Sequence, residues 1–317
     1  INGTITIDRP FDARGATFSV GATGSIVIGT EADGEVVRSI QVFLPLVTSS
    51  RARATVWSEG TQSGVTISNL LESEIVVPHV EGFYNGLRVV GIGTGAVHNN
   101  IHLGRLYNNK RNLLLENGSG WSNQNQYIGG HLSFDSGIGS AVADTRHILL
   151  NDLAPSTYGC PNGNTFLGTS LEGNVPEYEV ECYGADNQFL NCRWEGTSPK
   201  CQFNGLEGTR NLILGGYDST ALVVTHVNSA SRNALWTPTR SVKTISSTGD
   251  QERIQNLTDS NPVTQVFPSS VDLGVTGALT TWTMQWGADR WEFKATGDAH
   301  ARMRAVPATG RWHFGPG

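Results

Sequence analysis

The chain is poor in the residues that would give it several simple identities. Only 16% of its 317 residues are charged, the net charge is −6, and no Lys or Arg run is interleaved with aromatics. Phosphate neutralisation needs clustered cations, so nucleic acid is not an expected partner. No run of eighteen apolar residues occurs, and no membrane insertion by a helix is expected. The four cysteines, Cys160, Cys182, Cys192 and Cys201, form no Cys-x-x-Cys pair and have no His at zinc spacing. They read as buried free thiols rather than disulfides, and neither a metal nor a cofactor is expected. Apolar residues at three-to-four spacing are missing outside Val65–Leu71, so long helices are not expected. The opening Ile1-Asn2-Gly3-Thr4 has neither Met nor a basic-then-apolar leader and reads as trimmed or processed.

What the chain does have is a repeat. Asn164-Thr-Phe-Leu-Gly-Thr-Ser-Leu-Glu-Gly173 returns as Asn187-Gln-Phe-Leu-Asn-Cys-Arg-Trp-Glu-Gly196 at a spacing of 23, and more loosely from Asn211 to Ser219 at a spacing of 24. Earlier forms start at Asn125 and Asn100. The wider step of 39 from Asn125 to Asn164 places an insertion around Ser136–Asp144. A unit of twenty-odd residues cannot enclose a core alone and must bury its apolar face against its neighbours, as in a solenoid. Between these segments runs a second column of short apolar stretches, including Asn112–Glu116, Arg146–Leu150, Glu177–Glu181, Lys200–Phe203 and Ala221–Thr225. They have strand length and are punctuated by Asn, Gly, Asp and Ser, and Gly alone contributes 38 residues. The expected fold is all-β: a parallel β-helix over residues 1–236, with an irregular N-terminal capping region. The Asn opening each repeat suits a stacked amide and a left-handed turn.

After His226 the rhythm breaks. Residues 237–262 are rich in Ser, Thr and Asp and read as a linker; residues 263–317 read as a small C-terminal antiparallel β module. Five of the eight tryptophans lie at or beyond Trp236. The alternation Trp282, Met284, Trp286 places three bulky groups on one strand face. A neighbouring subunit or a compact sandwich core would each bury that face.

The sharpest chemical feature is a column of acids. Glu172 and Glu195 share a repeat position and should stack on adjacent coils about 4.8 Å apart. Glycosidic cleavage uses two carboxyl groups, one protonating the leaving oxygen and the other attacking or activating water. Asp218 falls one residue short of the next equivalent position, so it either completes the cluster or points inward. Arg193, Trp194, Tyr217 and His131 are the candidate sugar-binding residues, although period-two alternation requires Trp194 or Glu195 to face the core. The competing reading is that Glu-Gly, which recurs off register at Glu207-Gly208, is turn chemistry on a solvated surface. Asp135 and Asp144 are runner-up acids beside the insertion. A lyase would instead draw its base from Arg105, Tyr107, His131 or Arg146, while His147 reads as a strand residue.

The run from Gly86 to Val90, the segment Asn99–Leu113 and the repeat at Asn187–Gly196 resemble the right-handed parallel β-helices of the pectate-lyase-like superfamily, in the form found in bacteriophage tailspikes and tail fibres. The resemblance covers roughly residues 1–235, and the closing Arg302–Gly317 is similar to the short β segments that follow such helices. It implies a homotrimer on the virion, outside the cell, assembled with other tail proteins. It further implies recognition, and often hydrolysis, of a bacterial surface polysaccharide. A non-enzymatic adhesin of the same fold and a secreted polysaccharide hydrolase or lyase are the alternatives.

Overall fold

The computed structural model describes residues 1–32, 34–135, 142–152, 159–173, 175, 178–196, 199–204, 208, 210–218, 222–227 and 233–236, together with the backbone of seven strands between 245 and 314. The N-terminal part is a parallel β-helix. Each turn lays a strand on a first face, whose nine strands run in chain order from Thr4–Ile7 through Ser63–Ser68, Asn85–Gly91, Arg111–Asn117 and Arg146–Asp152 to Val223–Val227. A second sheet carries the other two faces. Its long strands Glu74–Glu81, Asn100–Tyr107 and Gln126–Ser133 bend midway, so their first halves build the second face and their second halves the third. In later coils the bend separates two strands: Thr165–Leu167 from Ser170–Glu172, Gln188–Leu190 from Arg193–Glu195, and Leu212–Leu214 from Tyr217–Asp218.

Glycine permits that bend. A Cβ on Gly104 would stand 2.0 Å from the Pro78 carbonyl oxygen, and one on Gly216, which has φ +89°, would stand 1.9 Å from that of Cys192. Neither position tolerates a side chain.

The repeated Asn is the ladder that registers one coil on the next. Backbone N–H groups of Ser73, Asn99, Asn125, Asn164, Asn187 and Asn211 each donate to the side-chain oxygen of the Asn one coil further on, ending at Asn233, over 2.7–3.1 Å. The side-chain amides donate back to carbonyls of earlier coils, as Asn187 does to Pro161 at 3.1 Å. All these asparagines are buried, where an unpaired amide would be costly. The ladder member of the early repeat is Asn99; Asn100, the residue assigned to that role from sequence, pairs with Gln126 and faces solvent. Asn125 and Asn164 are direct neighbours despite their separation of 39. The extra residues therefore lie between strands, chiefly from 133 to 146, where the insertion was expected; residues 136–141 of that segment are outside the described residues.

Inside, one apolar row per face stacks residue on residue. On the second face Tyr127, Phe166 and Phe189 lie ring on ring at 4.8 Å with planes 11° and 8° apart. The four cysteines are free and buried. Cys182 pairs with Phe203 and Cys201 with Val180, so the two thiols sit in neighbouring inward rows rather than stacking on each other.

Two local expectations change. Ser63–Ser68 is a strand, because its alternate residues join the inward rows, and the helix among the described residues is Arg53–Glu59, buried through Val56 and Trp57 and closed by Gly60 at φ 75°. Within 237–262, strands Ile245–Ser246 and Gln251–Ile254 pair with each other, and the second also pairs with Thr264–Phe267. They begin a seven-strand antiparallel sheet that continues through Trp282–Trp286, Trp291–Ala295, Met303–Val306 and Arg311–Phe314. The expected antiparallel C-terminal strands are therefore present, and the sheet starts inside the stretch read as a linker.

Candidate functional site

Period-two alternation on the third face produces three rows. The inward row is Val47, Val80, Leu106, Leu132, Leu171, Trp194 and Asp218. Flanking it are two rows pointing away from the core. One runs His79, Arg105, His131, Ser170, Arg193, Tyr217; the other runs Glu81, Tyr107, Ser133, Glu172, Glu195. At about 4.8 Å per coil the longer row spans roughly 24 Å. Tyr217 is 46% exposed, whereas Ser133 is buried between its neighbours in the row.

The rows bring five of the seven sequence-derived candidates together: His131, Glu172, Arg193, Glu195 and Tyr217. His131 Nε2 lies 2.8 Å from Glu172 Oε2, and the Ser170 hydroxyl donates to Glu172 Oε1 at 3.0 Å. Arg193 pairs with Glu195, and its guanidinium carbon sits 5.3 Å from the centre of the Tyr217 ring. Glu172 and Glu195 are register partners on adjacent coils, in the same outward row. Burial pushes the Glu172 carboxyl up, but His131 and Ser170 outweigh it and hold it below the usual carboxylate range. Nearer the N-terminus the same rows carry Arg105 over the Tyr107 ring at 3.6 Å and His79 paired with Glu81 at 3.0 Å.

Two candidates leave the site. Trp194 is fully buried beside Phe189, with ring centres 6.3 Å apart, so it is core and not a sugar platform. Asp218 is register partner to Trp194 and not to Glu195; it is buried, and Oδ2 accepts the Leu222 N–H at 3.3 Å. The single missing residue relative to Glu195 is one step of strand parity, which turns Asp218 inward.

The runner-up residues hold structure. Asp135 exchanges hydrogen bonds with Asn108 at 2.8 Å, and Asp144 pairs with Arg111 at 2.7 Å. Arg146 lies on the first face, buried and paired with Glu181 at 2.9 Å. His147 is buried in a first-face strand, accepting from the Asn112 amide at 3.1 Å, and burial pushes its imidazole down to about 3. Glu207-Gly208 falls partly outside the described residues. Sequence reading missed Ser170, His79 and Glu81 as members of the rows. The signal was available in the 26-residue steps from His79 to Arg105 to His131, but the insertion hides the continuation to Ser170.

No protein-family model and no curated protein matches the chain. Among solved structures it is similar to ORF18 of Geobacillus virus E2, with a TM-score of 0.57 and 13% identity, over 99% of this chain and 68% of that one. At that identity the likeness is one of fold.

Proposed function

We propose that this chain is a phage receptor-binding protein whose β-helix engages a bacterial surface polysaccharide along its third face, as a homotrimer on the virion together with other tail proteins. The observation that carries this reading is the double outward row from His79 to Tyr217. It combines cations, acids and exposed tyrosine on a rigid, axis-parallel support. A linear glycan presents hydroxyl and acidic groups at regular intervals along an extended chain, as the rows present their side chains at ~4.8 Å per coil. Tyr217 offers a ring face for stacking, with Arg193 beside it. The fold likeness to a phage protein supports the virion address.

Hydrolysis is the second reading, favoured by the register pairing of Glu172 with Glu195 on adjacent coils. The coil rise of ~4.8 Å that separates them is near the ~5–5.5 Å of a retaining pair and below the ~6.5–9.5 Å of an inverting pair. Cleavage would require one of the two to act as the protonated acid and the other as the ionised nucleophile. Binding requires no such division of protonation and is the first reading.

The test is binding of the intact chain to a panel of purified capsular and lipopolysaccharide glycans. Tyr217→Ala and Arg193→Ala should each weaken binding at least about tenfold, a loss of roughly 1.4 kcal/mol. Equal binding by wild type and both variants would remove the third face from consideration. New reducing ends, lost in Glu172→Gln and Glu195→Gln, would establish hydrolysis; unsaturated uronates would point to a lyase.

A further inference from the structure

On the outward rows of the third face, every cation but one has a carboxylate partner among the described residues. His79 pairs with Glu81 at 3.0 Å, His131 with Glu172 at 2.8 Å, and Arg193 with Glu195. Arg105 stands in register between His79 and His131 and is exposed, yet no described carboxylate pairs with it and no described acceptor takes its N–H groups. What holds it is a ring: the guanidinium carbon lies 3.6 Å from the centre of Tyr107, two residues on along the same strand. Stacking covers one face of the guanidinium plane and leaves its edge, where the N–H groups point, open to acceptors from outside. Around Arg105 the second row changes character: it offers Tyr107 and Ser133 on adjacent coils, where other coils carry Glu81, Glu172 and Glu195. The Ser133 hydroxyl is buried with no partner among the described residues. The acids one coil away and past the corner are committed, Glu81 to His79 and Asp135 to Asn108 at 2.8 Å. On the corner side Gly104 precedes Arg105, and Gly129 and Gly130 lie on the next coil, so none of these positions has a side chain to overhang it.

We infer that Arg105 is an anion subsite, taking a carboxylate or phosphate carried by the glycan, with the Tyr107 hydroxyl as a second donor. A guanidinium edge meets two oxygens of such a group at once, and the bond is charge-assisted; a neutral sugar hydroxyl leaves the charge unanswered. Because the ring already holds the guanidinium flat, less side-chain freedom is lost when the ligand arrives. The chain as a whole has a net charge of −6 and repels acidic polymers, so acceptance of an acidic residue needs a local cation that no carboxylate of the protein has neutralised. Arg105 is that cation among the described residues of this face. It lies four coils from Tyr217 along the same row, about 19 Å. A glycan lying along the face therefore stacks at one end and presents its acidic group at the other.

This inference rests on the reading of the third face as a glycan site, and the experiment separates the two. The intact chain, Arg105→Met, Arg105→Lys, Tyr107→Phe and Tyr217→Ala are titrated calorimetrically with two sets of polymers. Acidic capsular polysaccharides are used before and after reduction of their carboxyl groups to alcohols, and phosphate-monoester polysaccharides before and after phosphatase treatment. Circular dichroism confirms that each variant is folded. Wild type should bind an acidic polymer at least about tenfold more tightly than its neutralised form; loss on reduction identifies a carboxylate, and loss on phosphatase treatment a phosphate. Arg105→Met should bind both forms alike, at the level of the neutralised one. Arg105→Lys, which keeps the charge without the fork, should retain part of the preference, and Tyr107→Phe should lose a smaller part. Binding that depends on Tyr217 but is unchanged by neutralising the polymer, or a preference that survives in Arg105→Met, overturns the subsite and leaves the glycan reading standing. Binding of no polymer in either form overturns both.

Discussion

At the scale of single residues, the corner between the third and first faces holds a buried acid that works against stability. Glu179 is 1% exposed, and no described residue hydrogen-bonds its Oε2. Burial pushes its carboxyl well above the usual carboxylate range. The folded protein therefore keeps the proton that the unfolded chain releases once pH exceeds the ordinary glutamate value of about 4.3. For an acid with a raised folded pKa, the stability is fully present below the unfolded pKa and is lost as pH rises toward the folded one. Glu179→Gln is neutral in both states and should avoid that loss. Its melting temperature should exceed wild type by several degrees at pH 7–8 and match it near pH 4, as thermal unfolding followed by circular dichroism will show. A gain of equal size at both values would contradict the assignment. Glu172 differs in kind: its carboxyl is held down by His131 and Ser170 at the surface, where solvent screening makes any stability contribution small.

Among the elements, the amide ladder and the inward rows divide the labour. Stacked aromatic rings supply apolar burial, which tolerates similar shapes, whereas the ladder supplies register, which does not. Asn187 accepts from the Asn164 backbone, donates to Pro161 and contacts Asn211. Asn187→Ala leaves a buried N–H and a buried carbonyl unpaired and should cost about 2–4 kcal/mol in denaturant unfolding. A loss below about 0.5 kcal/mol would mean that water or a shifted backbone replaces the ladder. The second element-scale device is the corner glycine: Gly104 and Gly216 allow the strand to fold over onto the third face, and hence decide which residues become surface rows.

For the molecule as a whole, the β-helix and the seven-strand antiparallel sheet are distinct kinds of structure. The first buries its core coil by coil, so removing residues 237–317 exposes only its terminal coil. A chain ending at Trp236 should keep its β circular dichroism and a cooperative transition while losing most of its association by light scattering. Complete unfolding of that chain would show that the solenoid depends on the C-terminal sheet for its fold.

The sequence by itself determined the solenoid, its period and the one-coil partnership of Glu172 and Glu195. Stacking imposes one repeat of chain per coil, so the period is written locally as recurring Asn, apolar and Gly positions. It also carried the parity count that turns Asp218 away from the Glu195 row, and it narrowed the choice between Trp194 and Glu195 to one facing inward. Only the tertiary structure decided which of those two it was. The direction of a side chain after a corner depends on how the backbone closes there, and on whether a cavity beside Phe189 can accept an indole. The structure likewise decided that Asn99, not Asn100, enters the ladder, because the register of Asn100 with Gln126 is set by pairing across coils. The long outward rows needed it most. His79, Arg105, His131, Ser170, Arg193 and Tyr217 are separated by 26, 26, 39, 23 and 24 residues. A chain with insertions does not announce that unequal steps end at the same height; the lateral hydrogen bonds between coils bring them there.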